Sequence, residues 1–314
     1  MVQPLTGGGG LPASASPASA SSSPAASASP SSAVGASPSP AAASVVDVDA
    51  FNRFEAEGWE ARAGTYAFLR PLTGRAIGTL LAAVGAAPGK QLLDIGCGPG
   101  DLAAAAAVLG ADAAGIDVAP SMVRRAALAN PSIPFRVGSF ESIPGGDAAF
   151  DALAGNFVFN HVGRPELALA EAMRVLRPGG MLALSAWDAP RRNRVLGLFT
   201  DAVAAVDAPV PGGVPEGPTN FRSDDELRAL FAAAGFEAVG LQRLMFETPV
   251  PNLEALWSGV LDSAVRIPPA ITRQPADVRA RIRTAFDQLA SVHRRPDGSF
   301  AIPVSIQVIQ GRRP

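Results

Sequence analysis

The chain has 314 residues, with 26 basic and 28 acidic side chains and a formal net charge of −2, so it carries no broad positive field of the kind that holds nucleic acid. Its only cysteine is Cys97 and it has two histidines, which excludes an internal disulfide and leaves no ligand set for a structural zinc. Lys90 is the lone lysine and no GxxxxGK[ST] phosphate loop is present, which argues against Schiff-base chemistry and against a P-loop enzyme.

Residues 1–46 are uncharged and consist mainly of Ala, Ser, Pro and Gly. Such a segment has too few large apolar side chains to offset its ordering entropy, and a disordered low-complexity tail is predicted there. The start lacks a basic n-region and an apolar h-region, and the first arginine is Arg53; neither a secretory nor a transit signal is expected. No stretch is long and apolar enough to span a bilayer, and a cytoplasmic location is the expectation. Residues 47–314 are expected to form one domain.

From Asp47 the spacing becomes helical. "VDAFNRFEAEGWEARAGTYAFL" places Phe51, Phe54, Trp59, Tyr66 and Phe68 among charges, and "GRAIGTLLAAVG" follows as a second amphipathic helix. Strands and helices then alternate: strand 91–95, helix 101–109, strand 111–117, helix 119–129, strand 134–138, strand 150–162, helix 164–180 closed by Pro-Gly-Gly, and strand 181–187. Near-continuous apolar strands in such alternation predict a parallel sheet with helices on both faces. Beyond Trp187 the regularity loosens, with a loop at 209–220. A helix is predicted over 223–235, with Ser223 and Glu226 as a capping box and Gly235 as its stop. A long strand at 236–248, helices at 252–264 and 275–291, and a last strand at 302–310 complete the reading.

The most informative stretch is "LLDIGCGPGDLA", Leu92 to Ala103. A glycine-rich strand-to-helix turn lets a ligand approach bare backbone at the helix N-terminus. A dinucleotide turn reads GxGxxG, whereas here Gly96, Gly98 and Gly100 are followed by Asp101, an acid where a pyrophosphate would sit. Asp117, at the end of the second strand, is placed to accept the hydroxyls of a ribose.

"LLDIGCGPGDLA", "GIDVAPSMVRRA", "FDALAGNFVFNHV" and "RVLRPGGMLALSAW" together resemble the class I S-adenosylmethionine-dependent methyltransferases, and within them the small-molecule type that includes the ubiquinone and menaquinone biosynthesis enzymes. The resemblance covers residues 51–187 in motif order. It implies a Rossmann-like α/β fold: a doubly wound, seven-stranded sheet, mostly parallel, with one antiparallel strand supplied by the closing pair and a C-terminal helical insert. It implies a cofactor-binding core at 84–189, with 47–83, 190–222 and 249–301 covering the acceptor. It also implies S-adenosyl-L-methionine as cofactor, with Gly96, Gly98 and Gly100 lining its methionine half, Asp94 orienting its amino group and Asp117 taking its ribose. Cys97, Val118, Met122, Tyr66 and Asn156 are the further cofactor contacts it implies. The ligand has an ammonium and a sulfonium and no phosphate, so a turn flanked by Asp94, Asp101 and Asp117 suits it. One departure is present: where the family commonly has an acid for the adenine amino group, this chain has Ser139, followed by Phe140 and Glu141. The adenine contact then falls to Ser139, to backbone or to a stacked Phe140.

Methyl transfer is an in-line displacement whose acceleration comes mostly from holding the reactants in near-attack geometry. A hydroxyl or acidic carbon acceptor also needs a base, and His161, just past the fourth strand on the ligand-binding edge, is the candidate; finishing the strand and capping the loop is its structural alternative. An asparagine such as Asn156 in an apolar strand must be bonded, to ligand or backbone. His293 reads as a surface histidine and "RRNR" at 191–194 as a solvated face. The chain lacks the Pro-Pro-aromatic turn of DNA amino-methylases, the Pro-Cys nucleophile of C5-pyrimidine enzymes and the several thiols of arsenite methylation. The expected partner is therefore a small-molecule methyl acceptor (O, N or activated C), with no nucleic acid and no membrane span. Two alternatives compete: an NAD(P)-dependent Rossmann oxidoreductase, disfavoured by Asp101 and by the lack of a Tyr/Lys pair, and a cofactor-binding protein without transfer activity.

Overall fold

In the computed structural model the described residues are 47–217 and 221–314; the tail expected over 1–46 lies outside them. Three helices precede the sheet: α1 (Val48–Arg62), capped by Asp47, whose side chain accepts from the Ala50 amide, then α2 (Arg70–Gly74) and α3 (Ile77–Ala83). The alternation follows: β1 (Gln91–Ile95), α4 (Asp101–Val108), β2 (Asp112–Asp117), α5 (Pro120–Ala129), β3 (Phe135–Val137), β4 (Phe150–Asn156), a short 3₁₀ turn at Phe159–His161, α6 (Pro165–Val175) and β5 (Leu176–Trp187). The C-terminal third carries α7 (Arg194–Ala205), α8 (Asp224–Ala233), β6 (Glu237–Val250), α9 (Leu253–Ser263), α10 (Ile267–Thr272), α11 (Ala276–Ala290), a 3₁₀ turn at Ser291–His293, and β7 (Phe300–Arg312).

The sheet has seven strands in the order β3-β2-β1-β4-β5-β7-β6, and β7 runs antiparallel to both of its neighbours. This is the doubly wound, seven-stranded sheet with one antiparallel strand that the motifs imply. Strand alternation divides the core into two layers. Leu92, Ala152, Ala154 and Ala183 face one side, under α3, α4, α7, α9 and α11, while Leu93, Leu153, Leu182 and Leu184 face the other, under α6 and α8. On the first side Phe199 of α7 lies 5.3 Å from Trp257 of α9 and 4.7 Å from Phe286 of α11, ring centre to ring centre. Chain progress reverses between β1 and β4, and in such sheets the crevice at the carboxyl ends of those strands is where ligands bind.

Four expectations about elements need correction. The fourth strand ends at Asn156 and not at 162, because Phe157 adopts φ +63° and turns the chain into the 3₁₀ turn. The helix expected to 180 stops at Val175, because Leu176 is already extended and Pro178 forbids continuation. Residues 176–180 instead open β5, with a register shift between its pairings to Phe150 and Ala152. Helix α7 was not foreseen, although Val195, Leu198, Phe199 and Ala202 show helical spacing and are all buried. Helix α10 was likewise unexpected. The capping box at Ser223 and Glu226 is present, and Gly235 ends that helix with φ +88°.

Helix α1 roofs the crevice and is fastened on both sides. Glu60 accepts from the Ser121 amide at the start of α5 (2.7 Å), and Asn52 bonds Glu141 (2.9 Å) and the Gly163 amide (2.9 Å).

Candidate active site

The cavity at the carboxyl ends of β1 and β4 is lined by the turn after β1, the ends of β2 and β4, the 139–141 loop and the inner face of α1. Its floor is the glycine turn. Gly96 has φ +67°, and a Cβ there would lie 2.5 Å from Val158 Cγ2, so only glycine lets β1 pass beneath the 157–158 bend. Gly98 has φ +51°, and a Cβ there would meet nothing within 4 Å because it faces the cavity. Gly100 does not line the cavity: a Cβ there would meet Asn130, Phe135 and Ala126, so its role is the close approach of α4 to α5 and β3.

Two buried carboxylates face this floor. Asp117 is held by backbone, accepting from the Ala119 amide through Oδ1 and from the Gly98 amide through Oδ2, both at 2.9 Å. Asp94, 1 % exposed at the end of β1, accepts from the Ala103 amide through Oδ2 (3.0 Å). Its Oδ1 is buried with no hydrogen-bond partner among the described residues. Burial first, then the negative charges of Asp117 and Asp101, push the Asp94 carboxyl up to about 8. An unpartnered buried carboxylate oxygen is costly, and a cationic donor arriving in the cavity would satisfy it. Arg70 grips Asp101 through two bonds of 2.7 and 2.6 Å, so its charge is partly matched, although it still adds to the negative field that raises Asp94.

The other expected contacts are placed as follows. Cys97 and Met122 are buried in the lining and Val118 is at the rim; burial pushes the Cys97 thiol up, which makes it inert. Ser139 lines the cavity, and its hydroxyl accepts from the Glu141 amide (3.1 Å), while Phe140 is buried beside it with its ring 6.3 Å from that of Phe159. Asn156 is bonded through both amide atoms, donating to the Thr73 carbonyl (3.2 Å) and accepting from Ser185 Oγ (2.7 Å). Ser185 also accepts from the amide of Phe157 (3.0 Å), and so holds the strained backbone there. The Tyr66 hydroxyl bonds Thr73 Oγ (3.1 Å), and burial raises it to about 12.

His161 reaches the cavity from the 3₁₀ turn after β4. Its Nδ1 lies 2.8 Å from Glu55 Oε2, and its ring meets Trp59 edge-on with centroids 5.0 Å apart. Glu55, 2 % exposed on α1, also pairs with Arg266 Nε at 2.9 Å. Burial alone would raise the Glu55 carboxyl; His161 and Arg266 together reverse that and hold it below the usual range. Sequence reading missed both Glu55 and Arg266. The signal for Glu55 was available: it sits four residues after Phe51 on the stripe that α1 buries. Arg266 gave none.

Residues 47–83 supply the aromatic side of the cavity, through Trp59 and Tyr66. No described residue of 190–222 or 249–301 lines it, although Arg266 of the insert pairs with Glu55 in its wall. "RRNR" is not the solvated face expected: Arg191 is exposed, but Asn193 is buried, Arg192 pairs with buried Asp188 and Arg194 with Asp201, and none of the four lines the cavity. His293 stands in the 3₁₀ turn before β7, where burial lowers its pKa. Among the described residues no cluster of His, Cys, Asp and Glu is arranged to hold a metal ion, and no helix is long and apolar enough to cross a membrane.

With this geometry in view, the chain was compared with known proteins. The family described as a methyltransferase domain matches residues 93–184. A demethylmenaquinone methyltransferase of Renibacterium salmoninarum is 35 % identical over 119 residues, 38 % of this chain and 50 % of that enzyme; the chain thus spans about half of its length. A ubiquinone biosynthesis O-methyltransferase of Xanthomonas campestris is 31 % identical over 178 residues, 53 % of this chain and 71 % of that enzyme. Among solved structures, the YcgJ protein of Bacillus subtilis is similar with a TM-score of 0.52 and 21 % identity, covering 76 % of this chain and 98 % of its own, and shares the fold.

Proposed function

The chain belongs to the S-adenosylmethionine-dependent methyltransferase family, and from that premise we propose that it transfers a methyl group to a small-molecule acceptor in the cavity between the glycine turn and α1. The observation that carries this reading is Asp94 Oδ1, a buried carboxylate oxygen without a hydrogen-bond partner among the described residues, beside backbone that Gly96 and Gly98 keep bare. That donor set fits an ammonium-bearing, phosphate-free ligand.

In this assignment Asp94 takes the amino group of S-adenosylmethionine. Asp117 takes the ribose, using lone pairs beyond those given to the Ala119 and Gly98 amides. Met122 and Phe140 flank the adenine, with Ser139 and Val118 at its edge, and Cys97 and Gly98 lie along the floor. Asn156 and Tyr66 act at one remove, by fixing Thr73 and the 156–157 bend. Residues 47–83 cover the acceptor. When bound, the cofactor would supply a methyl group activated by its sulfonium, with the sulfur as leaving group. His161 Nε2 receives the proton of a protic acceptor, freeing the pair that forms the new bond to carbon. Trp59, Tyr66, Phe157 and Trp187 exclude water around that step.

Calorimetric titration of the full chain with S-adenosylhomocysteine and, separately, with NADH tests the reading. Micromolar binding of the first and none of the second is expected; the reverse would overturn it.

A further inference from the structure

Glu55 is an expensive residue for α1 to bury. An ionised carboxylate in the interior loses several kcal/mol of hydration unless each oxygen is answered, and the stripe it shares with Phe51 would pack more simply with an aliphatic side chain. Its two oxygens face two elements distant in sequence: Oε2 lies 2.8 Å from His161 Nδ1, while Oε1 lies 2.9 Å from Arg266 Nε as an ion pair and makes no hydrogen bond among the described residues. Arg266 is itself fixed, donating from Nη2 to the Asn160 carbonyl (2.5 Å) and lying over the Phe51 ring at 5.2 Å. A Cβ at Gly58 would overlap Val265, so the glycine in α1 is what lets this segment come close enough for the ion pair. The arrangement spans three parts of the chain and ends at one ring nitrogen of the cavity wall.

We propose that Glu55 and Arg266 are positioning residues that make His161 a base: the Glu55 carboxylate holds the imidazole proton on Nδ1, Arg266 holds the carboxylate in place, and Nε2 is left as an acceptor in the cavity. The inference rests on the methyltransferase reading for what the base acts upon. An ionised carboxylate can only accept hydrogen bonds, so the neutral imidazole beside it must carry its proton on the nearer nitrogen. The edge-on Trp59 ring, 5.0 Å away, fixes the plane of the imidazole. Among the described residues, none bonds Nε2. After taking a proton there, the imidazolium still faces the Glu55 carboxylate at 2.8 Å through Nδ1. The other ionisable groups of the lining are Asp94, Cys97, Asp117, the Arg70-paired Asp101, Tyr66 and Glu141, the last bonded to Asn52 and Arg164. Arg266 prevents the simpler outcome in which the proton passes on to Glu55, because a neutral Glu55 would leave the guanidinium buried and unpaired.

The test is ¹⁵N NMR of the full chain carrying labelled histidine. There are two histidines, so the spectrum of His161→Ala assigns both. His161 is expected in the Nδ1–H form, with and without S-adenosylhomocysteine. Glu55→Gln is expected to move it toward the Nε2–H form, while the affinity for S-adenosylhomocysteine changes less than about threefold. Glu55→Asp, which keeps the charge, should restore the Nδ1–H form. A wild-type His161 already in the Nε2–H form would overturn the inference, and so would an unchanged tautomer in Glu55→Gln. The wild-type spectrum decides even if a variant fails to fold. Absence of S-adenosylhomocysteine binding would instead strike the methyltransferase reading and leave the tautomer result to stand by itself.

Discussion

The two walls of the cavity are built in different ways. The floor at the end of β1 is made from a contiguous stretch, residues 94–103, in which backbone does most of the work: left-handed glycines, the Gly98 amide on Asp117 and the Ala103 amide on Asp94. The opposite wall is made of side chains brought together from far apart, Glu55 with His161 across 106 residues and with Arg266 beyond that. A site that meets its ligand with bare backbone is confined to residue types with almost no substitutes. One that meets it with side chains can be assembled from many positions. The first suits the part of the reaction shared by a family, and the second suits the part that differs between its members.

If the division of labour is right, changes on the two walls separate in what they affect. The largest effect is expected on turnover from the acceptor wall. His161→Ala should lower the methyl-transfer rate roughly 10²- to 10⁴-fold while leaving S-adenosylhomocysteine affinity within about threefold; turnover within a few-fold of wild type would remove the base. Next comes Gly96→Ala on the floor. The added Cβ meets Val158 at 2.5 Å with φ at +67°, and a loss of about 3 kcal/mol in unfolding free energy is expected in chemical denaturation.

Asp94→Asn should weaken S-adenosylhomocysteine by about 2 kcal/mol, roughly 30-fold, with little change in His161. Asp94 also gives the floor a pH signature. Its folded-state pKa, pushed up to about 8 by burial first and then by neighbouring carboxylates, lies above the unfolded one. Its contribution to the stability of the free protein is therefore fully present at low pH and lost as pH rises toward about 8. A cationic ligand needs the ionised form. Binding in that window should thus release a proton, and affinity should rise by close to tenfold per pH unit from about pH 6 to about pH 8. Calorimetry in buffers of different ionisation enthalpy measures the released proton, and Asp94→Asn should abolish it. The smallest effect is expected from Ser185→Ala, which removes the acceptor for the Phe157 amide and a partner of Asn156. A loss of about 1 kcal/mol in stability should appear there, with a modest fall in turnover.

The same contrast explains what the sequence disclosed. Strand β1, the glycine turn and the position of Asp117 were legible because their spacing is local and their residue types are constrained by backbone geometry, while Asp94 was singled out only through the family resemblance. The largely parallel sheet followed from the alternation of elements, whereas its strand order came only with the fold. The pairing of Asp101 with Arg70 was not legible, because Arg70 lies 31 residues earlier and no spacing rule joins the two. Gly100 was grouped with the cavity glycines although its missing side chain makes room for packing behind the turn. Asn156 was correctly expected to be bonded, but Thr73 and Ser185 as its partners needed the fold. Helix α7 was written in its apolar spacing and overlooked in a stretch of weaker regularity. Glu55 was visible as a charge on a buried stripe, and what the sequence did not contain was the identity of the two groups that answer it.

The central claim, that the floor holds the aminoacyl end of S-adenosylmethionine against Asp94, is tested most directly by a crystal structure of the full chain with S-adenosylhomocysteine. The account predicts the ligand's amino group within hydrogen-bond distance of Asp94 Oδ1, its ribose on Asp117 and its sulfur turned toward the wall that carries His161. A ligand bound with its amino group away from Asp94, or bound elsewhere on the chain, would contradict it.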